Sequence, residues 1–217
     1  MTKLFCKDDY TLPDIRGNWR KAWSSLSFRV ELIVSFLLNI ALVQFVNWYF
    51  PFIQTREGSL INDPILNLIQ PRDLSWWTFG FEYFAVIVGL TYVAFRPKQM
   101  VLLFETVFLI TSTRMCTLYF IPLEPPIGLI PLADPILGRF VYSGNLITKD
   151  LFFSGHTVMV FIMFLNVRHI WLKIIFLLLT ISVGAFVVIQ HVHYSFDVLV
   201  APFFTWIAYK IVDTAHQ

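Results

Sequence analysis

Residues 170–189 read IWLKIIFLLLTISVGAFVVI, a stretch of twenty residues in which Lys173 is the one charged side chain. A helix needs roughly 20 largely apolar residues to cross the hydrocarbon core of a bilayer, so this stretch predicts a transmembrane helix. The whole chain shares this bias, because 57% of its 217 residues are hydrophobic and 14% are charged. A soluble domain has about 45–50% apolar and about 25% charged residues. The composition therefore excludes a soluble domain.

Five further apolar stretches approach the length of a membrane span. The six predicted spans are residues 28–50, 76–95, 100–121, 151–167, 170–189 and 196–212. The fourth span is short, and Asp197 and Pro202 interrupt the sixth. We predict an all-α integral membrane protein, a six-helix bundle over residues 28–212 that follows a leader (1–27) and precedes a short tail (213–217).

The Lys and Arg residues of the short loops predict the orientation of the bundle, because they are enriched on the cytosolic side. Eleven fall on the side of the two termini and four on the other, with Arg114 inside a span. The eleven are Lys3, Lys7, Arg16, Arg20, Lys21, Arg29, Arg96, Lys98, Arg168, Lys173 and Lys210, and the four are Arg56, Arg72, Arg139 and Lys149. Both termini are predicted to be cytosolic.

Two long connections, 51–75 and 122–150, fall on the opposite, non-cytosolic side. The first contains Leu60, Ile61 and Leu68 and ends at Trp76 and Trp77. Aromatic anchors beside apolar residues are typical of a segment that lies on the membrane surface. A plain surface loop explains the same mixed pattern, and both interpretations stay open here.

Composition also bears on partners and cofactors. The net charge is only +2 and no basic run has interleaved aromatic residues, so nucleic acid is not an expected partner. Cys6 and Cys116 lack the spacing of a disulfide framework or a zinc site. No carboxylate cluster suggests a metal, and we expect neither a metal nor another cofactor. The bilayer is the one environment that the sequence requires.

Ionisable residues inside a span cost at least about 2.5–3.5 kcal/mol each on insertion scales, so each is a candidate for function. The predicted spans and their borders contain Glu31, Glu82, Glu105, Arg114, His156, His191, His193 and Asp197. We interpret the three glutamates as surface or structural residues. The topology places Arg114, His156, His193 and Asp197 near the non-cytosolic ends of their spans, which predicts one shared site.

His193 and Asp197 are four residues apart, so they lie on one face of a helix. The carboxylate can then accept a hydrogen bond from one ring nitrogen of His193 and leave the other with a free lone pair. That arrangement predicts an oriented nucleophile or base.

The sequence Ser154-Gly155-His156-Thr157 begins the fourth predicted span. The amides at a helix start are unpaired and bind anions, and Gly155 allows close approach to the backbone. Arg114 can contribute a fork of donors to a phosphate. For Ser154 and Thr157 we expect hydrogen bonds to phosphate or backbone, with capping as the stronger interpretation. Together these features predict phosphoryl transfer through a phosphohistidine.

These residues resemble the motifs of the sphingomyelin synthase family, a branch of the lipid phosphate phosphatase (PAP2-type) superfamily. Asp150 followed by Ser-Gly-His-Thr at 154–157 resembles one motif, and His-Tyr-Ser-Phe-Asp-Val at 193–198 resembles another, with His191 two residues before it. Arg114, Thr117 and Tyr119 resemble a third motif, and Leu-Pro-Asp at 12–14 resembles a fourth. The classical phosphatase pattern is incomplete, because Gly89 and Val187 hold positions of a lysine and an arginine.

The resemblance implies that His193, oriented by Asp197, attacks the phosphorus of a phospholipid headgroup of the phosphocholine or phosphoethanolamine type. His156 then protonates the departing diacylglycerol oxygen and later activates a lipid hydroxyl such as that of ceramide. Asp150 either orients the site or caps the fourth span, and Tyr119 and His191 are possible supporting residues. The active site would face the lumen, the periplasm or the extracellular space.

Two other classes of function stay open. A lipid phosphatase or phospholipase C-like hydrolase would use the same His156, His193 and Asp197 but pass the phosphoryl group to water. A lipid transporter or scaffold is a third possibility, although transporters usually place polar groups at the middle of the membrane.

Overall fold

The structure, a computed structural model, describes residues 15–132, 134 and 147–217. The described part contains seven α-helices. They are α1 (Ile15–Trp23), α2 (Leu26–Thr55), α3 (Ser75–Ala94), α4 (Pro97–Phe120), α5 (Gly155–Asn166), α6 (Ile170–Ile189) and α7 (Ser195–Ala215), with a 3₁₀ turn at Leu66–Leu68. The β-pairing in this part is one isolated bridge between Ser59 and Leu123. The predicted all-α class is confirmed for these residues.

Five described helices, α2, α3, α4, α6 and α7, are long and apolar enough to cross a membrane. The predicted fourth span is shorter than expected, because α5 has 12 residues and measures about 18 Å against a hydrocarbon core of about 30 Å. Its start moves from residue 151 to Gly155, since the Ser154 side chain accepts a hydrogen bond from the Thr157 amide and caps the helix there. The structure supports a helical membrane protein, but not six complete helical spans.

The short helix α5 occupies the centre of the bundle. It packs against α3, α6 and α7 and also contacts α4. Val160, Ile162 and Met163 are buried with the apolar residues of these neighbours. By contrast, α2 packs mainly on α4 and exposes much of its apolar surface. In a membrane protein such a face is covered by lipid.

The predicted leader contains helix α1. Its Trp19 donates from Nε1 to the carbonyl of Ala94 at 2.8 Å, and its ring lies edge-on to Phe28, with centroids 6.1 Å apart. These contacts fasten α1 to the start of α2 and the end of α3.

From α2 to α7 the helices alternate in direction, so the bundle has two ends. At the site end, the loops after α2, α4 and α6 meet the starts of α3, α5 and α7, as the hydrogen bond from Arg72 N to Ile189 O illustrates. At the opposite end, the amide of Arg168 donates to the hydroxyl of Tyr92. The described Lys and Arg residues of the loops and helix ends fall into two groups. The opposite end has Arg16, Arg20, Lys21, Arg29, Arg96, Lys98, Arg168, Lys173 and Lys210, and the site end has Arg56, Arg72 and Lys149.

The connection between α2 and α3 lies at the site end. Leu68, Trp76 and Trp77 are strongly exposed there, whereas Leu66 is buried in the core beneath the loop. This apolar rim is the feature expected of a segment on the membrane surface.

Candidate active site

His156 is the second residue of α5 and lies at the site end. Its ring centroid is 6.0 Å from that of His193, in an edge-to-face arrangement, and 6.0 Å from that of Phe79. Its Nδ1 atom is buried and has no hydrogen-bond partner in the described part of the chain. The structure therefore brings together the two histidines that the sequence placed in one site.

His193 and Asp197 bracket the start of α7 and lie on one face, as predicted. Both side chains are 1% exposed, and Nδ1 of His193 is 3.6 Å from Oδ2 of Asp197. That oxygen also accepts the amide of Tyr194 at 3.2 Å, so the carboxylate satisfies a backbone donor at the start of α7. A separation of 3.6 Å exceeds hydrogen-bond length, so the predicted bond is not formed in this state. Catalytic hydrogen bonds are often long without substrate and shorten in the reacting complex.

Arg114 forms an ion pair with Asp150, with 2.5 Å between Nη2 and Oδ1. Its Nε donates to the carbonyl of Phe153 at 2.6 Å. The sequence left Asp150 either an orienting or a capping role. Capping of α5 is excluded, because Ser154 occupies the capping position and Asp150 is turned toward Arg114 instead.

The guanidinium of Arg114 lies directly over Gly155. A Cβ atom on Gly155 would be 3.0 Å from Cζ and 3.2 Å from both terminal nitrogens of Arg114, which is closer than side chains normally pack. Nη1 of Arg114 makes no hydrogen bond within the described residues. A cationic donor thus lies beside the first amides of α5, and this combination favours anion binding.

Residues 151–154 precede α5 as a buried, non-helical segment. Irregular backbone at membrane depth must have its polar groups satisfied by the protein. Thr117 donates to the carbonyl of Phe152 at 3.0 Å, Arg114 donates to that of Phe153, and Ser154 N donates to the carbonyl of Asp197. Arg114 and Thr117 are three residues apart on one face of α4, so both support this segment. The sequence assigned no separate role to Thr117, although this spacing was the signal.

Two of the possible supporting residues lie apart from the histidine pair. Tyr119 is about half exposed, and the guanidinium of Arg56 lies 4.7 Å from its ring centroid. The ring of His191 fits between two loops, with Nδ1 2.8 Å from the carbonyl oxygen of Ile127 and Nε2 3.0 Å from that of Ile69. His191 therefore joins the loops at the site end. The Leu-Pro-Asp motif at 12–14 lies outside the described residues.

Sequence reasoning missed a set of polar residues that support the start of α7. Tyr194 is 1% exposed. Its hydroxyl donates to the carbonyl of Glu124 at 2.8 Å and accepts the amide of Ile61 at 3.2 Å. Asp63 is 6% exposed and accepts the amide of Ser195 at 2.7 Å. Asp63 and Glu124, the loop residues in these contacts, belong to no motif and no helical pattern, so nothing in the sequence indicated that they support α7.

The carboxylates of these loops are held in their charged form. Burial raises the pKa of Asp63, but hydrogen bonds from Ser195, Ile65 and Leu66 outweigh it and hold that pKa below its ordinary value. The hydrogen bond from Lys149, with one from the Gly58 amide, lowers the pKa of Glu124.

The glutamates set aside in the sequence differ from one another. Glu105 pairs with His216 at 2.6 Å at the opposite end, which is a structural contact. Glu82 has a buried oxygen, Oε2, without a hydrogen-bond partner among the described residues. Within residues 15–132, 134 and 147–217, no group of three or more His, Cys, Asp or Glu side chains is placed to hold a metal ion.

Residues 149–215 match the family model described as PAP2 superfamily C-terminal. This match supports the PAP2, or lipid phosphate phosphatase, superfamily. The matched PAP2 segment begins at Lys149 and contains His156, His193 and Asp197. A likeness to this superfamily points to phosphatase or phosphotransferase chemistry. No curated protein and no solved structure matches the chain, so the sphingomyelin synthase branch stays a prediction.

Proposed function

We propose that this protein is a membrane phosphotransferase that moves a phospholipid headgroup to a lipid hydroxyl, such as that of ceramide, through a phosphohistidine. The observation that carries the proposal is the convergence of His156, His193, Asp197 and Arg114 at one end of the bundle. A nucleophile, an acid–base group and a phosphate clamp are the parts that such an exchange requires.

In the first step, Nε2 of His193 attacks the phosphorus of the donor lipid. A P–N bond forms, the bond from phosphorus to the diacylglycerol oxygen breaks, and protonated His156 gives its proton to that oxygen. Asp197, 3.6 Å from Nδ1, holds the ring and stabilises the positive charge that develops on it.

In the second step, the hydroxyl of the acceptor lipid attacks the phosphohistidine. His156 accepts the hydroxyl proton, a new P–O bond forms, and the P–N bond breaks to release His193. Both half-reactions use the same residues in reverse order, so one histidine pair serves donor and acceptor.

The phosphate is held throughout by the start of α5. The first amides of that helix and Nη1 of Arg114 supply donors on one side of the site. Asp150 fixes the guanidinium through its ion pair, and the absence of a side chain on Gly155 lets Arg114 lie against the backbone.

The proposed active site faces the lumen, the periplasm or the extracellular space. Nine described Lys and Arg residues lie toward the opposite end and three lie in the loops of the site end, and such residues are enriched on the cytosolic side. The termini would then lie in the cytosol, and the donor and acceptor lipids would come from the non-cytosolic leaflet.

Hydrolysis is the alternative, and the superfamily match favours it equally because it covers phosphatases as well. A lipid phosphatase or phospholipase C-like enzyme would pass the phosphoryl group from His193 to water. The catalytic residues are shared, so products must distinguish the two.

The test uses the purified full chain in mixed micelles with headgroup-labelled phosphatidylcholine or phosphatidylethanolamine, with and without ceramide. Label in a new lipid that forms only with ceramide supports the transferase. Soluble phosphocholine, phosphoethanolamine or phosphate formed regardless of ceramide supports the hydrolase. Label transfer that persists in His193→Ala would overturn the proposed mechanism.

A further inference from the structure

Asp63 is a buried acidic residue in the loop between α2 and α3, and the proposed reaction steps do not use it. Its side chain is 6% exposed, and a buried carboxylate is costly unless hydrogen bonds or charges compensate it. The compensation comes from backbone amides. Oδ1 accepts the amides of Ile65 at 2.9 Å and Leu66 at 3.3 Å, and Oδ2 accepts that of Ser195 at 2.7 Å.

The two oxygens therefore join two separate parts of the chain. Oδ1 stabilises the turn of its own loop, while Oδ2 reaches the first residue of α7. Ser195 lies two residues after His193 and two before Asp197. A shift of its amide would move both members of the proposed catalytic pair.

A second contact fastens the neighbouring residue to the same loop. The hydroxyl of Tyr194 accepts the amide of Ile61 and donates to the carbonyl of Glu124. The loop is itself joined to residue 123 through the bridge at Ser59. Residues 194 and 195 are thus both held by the loop between α2 and α3.

We infer that Asp63 is a positioning residue that holds the amide of Ser195 and thereby keeps His193 and Asp197 in place opposite His156. This inference rests on the proposed function and adds a residue from another segment of the chain to it. Reacting groups must stay close to attack geometry, and a misplacement of about 1 Å can lower the rate by about 10²-fold. The carboxylate also lies at the positive end of α7, where a negative charge is favourable.

Asp73 offers a matched control. It belongs to the same loop, and its Oδ1 accepts the amide of Ser75 at 2.9 Å, the first residue of α3. Both aspartates accept the amide of the first residue of a helix, although Asp73 is exposed and its contact is local. The helix that Asp73 supports, α3, carries neither catalytic histidine.

The experiment compares Asp63→Asn with Asp73→Asn in the label-transfer assay. An asparagine has one acceptor oxygen and cannot serve both the loop and Ser195. We expect Asp63→Asn to lower kcat about 5- to 30-fold with little change in KM. This factor corresponds to the free energy that the loss of a helix cap costs. Asp73→Asn should stay within about twofold of the wild type, since its contact is remote from the reaction. Equal kcat values for the two variants would overturn the inference.

A second variant removes the other partner of the contact. Ser195→Pro lacks the amide hydrogen that Asp63 accepts, and proline suits the first position of a helix. Ser195→Pro should lower kcat as Asp63→Asn does, and the double variant should be no slower than either, because both changes break one contact. Losses that multiply in the double variant would contradict this.

Hydrogen exchange at the amides of residues 194–197 provides a readout that is independent of turnover. Exchange there should be faster in Asp63→Asn than in the wild type and unchanged in Asp73→Asn. If the wild type neither transfers nor releases label, the proposed function fails, whereas the Asp63 contact is still tested by exchange. If the wild type is active and His193→Ala is not, but Asp63→Asn behaves like Asp73→Asn, only this inference fails.

Discussion

The starts of α5 and α7 each place one histidine in the site, but their surroundings differ in charge. At α5 the cap is the neutral Ser154, and the guanidinium of Arg114 lies over Gly155. At α7 two carboxylates accept the first amides, Asp197 from the helix itself and Asp63 from the loop between α2 and α3.

Because of this difference in charge, we expect the two helix starts to have different functions. The positive end of α5, strengthened by Arg114, keeps free donors for a phosphate. The positive end of α7 is already occupied by carboxylates, so it is suited to hold and orient His193 rather than to bind an anion. This difference supports the proposal that α5 binds the phosphate and that His193 on α7 is the nucleophile.

The largest expected effect tests whether the two histidines differ as proposed. On lipid donors His193→Ala should lose about 10⁴-fold or more in kcat, and His156→Ala about 10²- to 10⁴-fold. With p-nitrophenyl phosphocholine, whose leaving group needs no protonation, the first turnover of His156→Ala should recover to within about tenfold of the wild type. His193→Ala should not recover, because the nucleophile is still missing.

Absorbance of released p-nitrophenolate in the first turnover provides the measurement, since the second step again requires His156. Recovery of His193→Ala, or equal behaviour of both variants, would contradict the assignment of the two roles.

The next effect concerns Asp197, the carboxylate in the first turn of α7. Asp197→Asn keeps an oxygen for the Tyr194 amide but removes the charge that stabilises a cationic His193, so kcat should fall by about 10²-fold or more. Asp213→Asn is the control on the same helix, at the opposite end. If the two variants have equal rates, Asp197 serves only as a cap.

Much of this site could be predicted from the sequence, because two residues four apart share a helix face and alternating spans bring their ends together. That reasoning placed His156, His193, Asp197 and Arg114 at one end of the bundle, where the structure has them. It also placed α6 at residues 170–189, since a long apolar run without interruption fits few structures other than a membrane-spanning helix.

The rest depends on tertiary contacts that leave no periodic pattern. Apolar composition extended the fourth span to Leu151, but Leu151 and Phe153 are buried in non-helical backbone, where Phe153 stacks on Phe204 with centroids 4.8 Å apart. Apolar composition alone does not distinguish a helix from a buried extended segment. The contact of Asp63 with Ser195 joins residues 132 positions apart, and a single sequence carries no signal for it.

A smaller effect tests the close packing at the start of α5. The added methyl group in Gly155→Ala would meet Arg114 at 3.0 Å and displace its guanidinium, and overpacking of this kind costs about 1–3 kcal/mol. We expect kcat/KM to fall about 10- to 100-fold. Gly80→Ala is the control, because a Cβ there has no neighbour within 4 Å, and its kcat/KM should match the wild type. A fully active Gly155→Ala would show that the position of Arg114 over α5 is not required.

The smallest effect tests the ion pair of Glu124 with Lys149, which connects the loop that supports α7 to the segment before α5. The carbonyl of Glu124 accepts the hydroxyl of Tyr194 at the start of α7. Its carboxylate lies 2.7 Å from the ammonium of Lys149, which precedes the non-helical segment before α5. Because the pKa of Glu124 is lowered in the folded state, its charged form stabilises the fold above the unfolded-state pKa of about 4.3. That contribution is lost as the pH falls through the lower, folded-state pKa.

Wild type should therefore unfold about 1–3 °C above Glu124→Gln at pH 7, the range of a partly exposed ion pair. This difference should shrink below pH of about 4.3 and disappear once Glu124 is protonated in the folded state. The exposed Glu57, in the loop between α2 and α3, is the control. Glu57→Gln should unfold at the same temperature as the wild type at every pH. Thermal unfolding followed at several pH values gives the comparison. The opposite result would be a difference in unfolding temperature that grows toward acid pH. That sign is wrong for a stabilising carboxylate, and it would mean that the pair of Glu124 and Lys149 does not join the two helix starts.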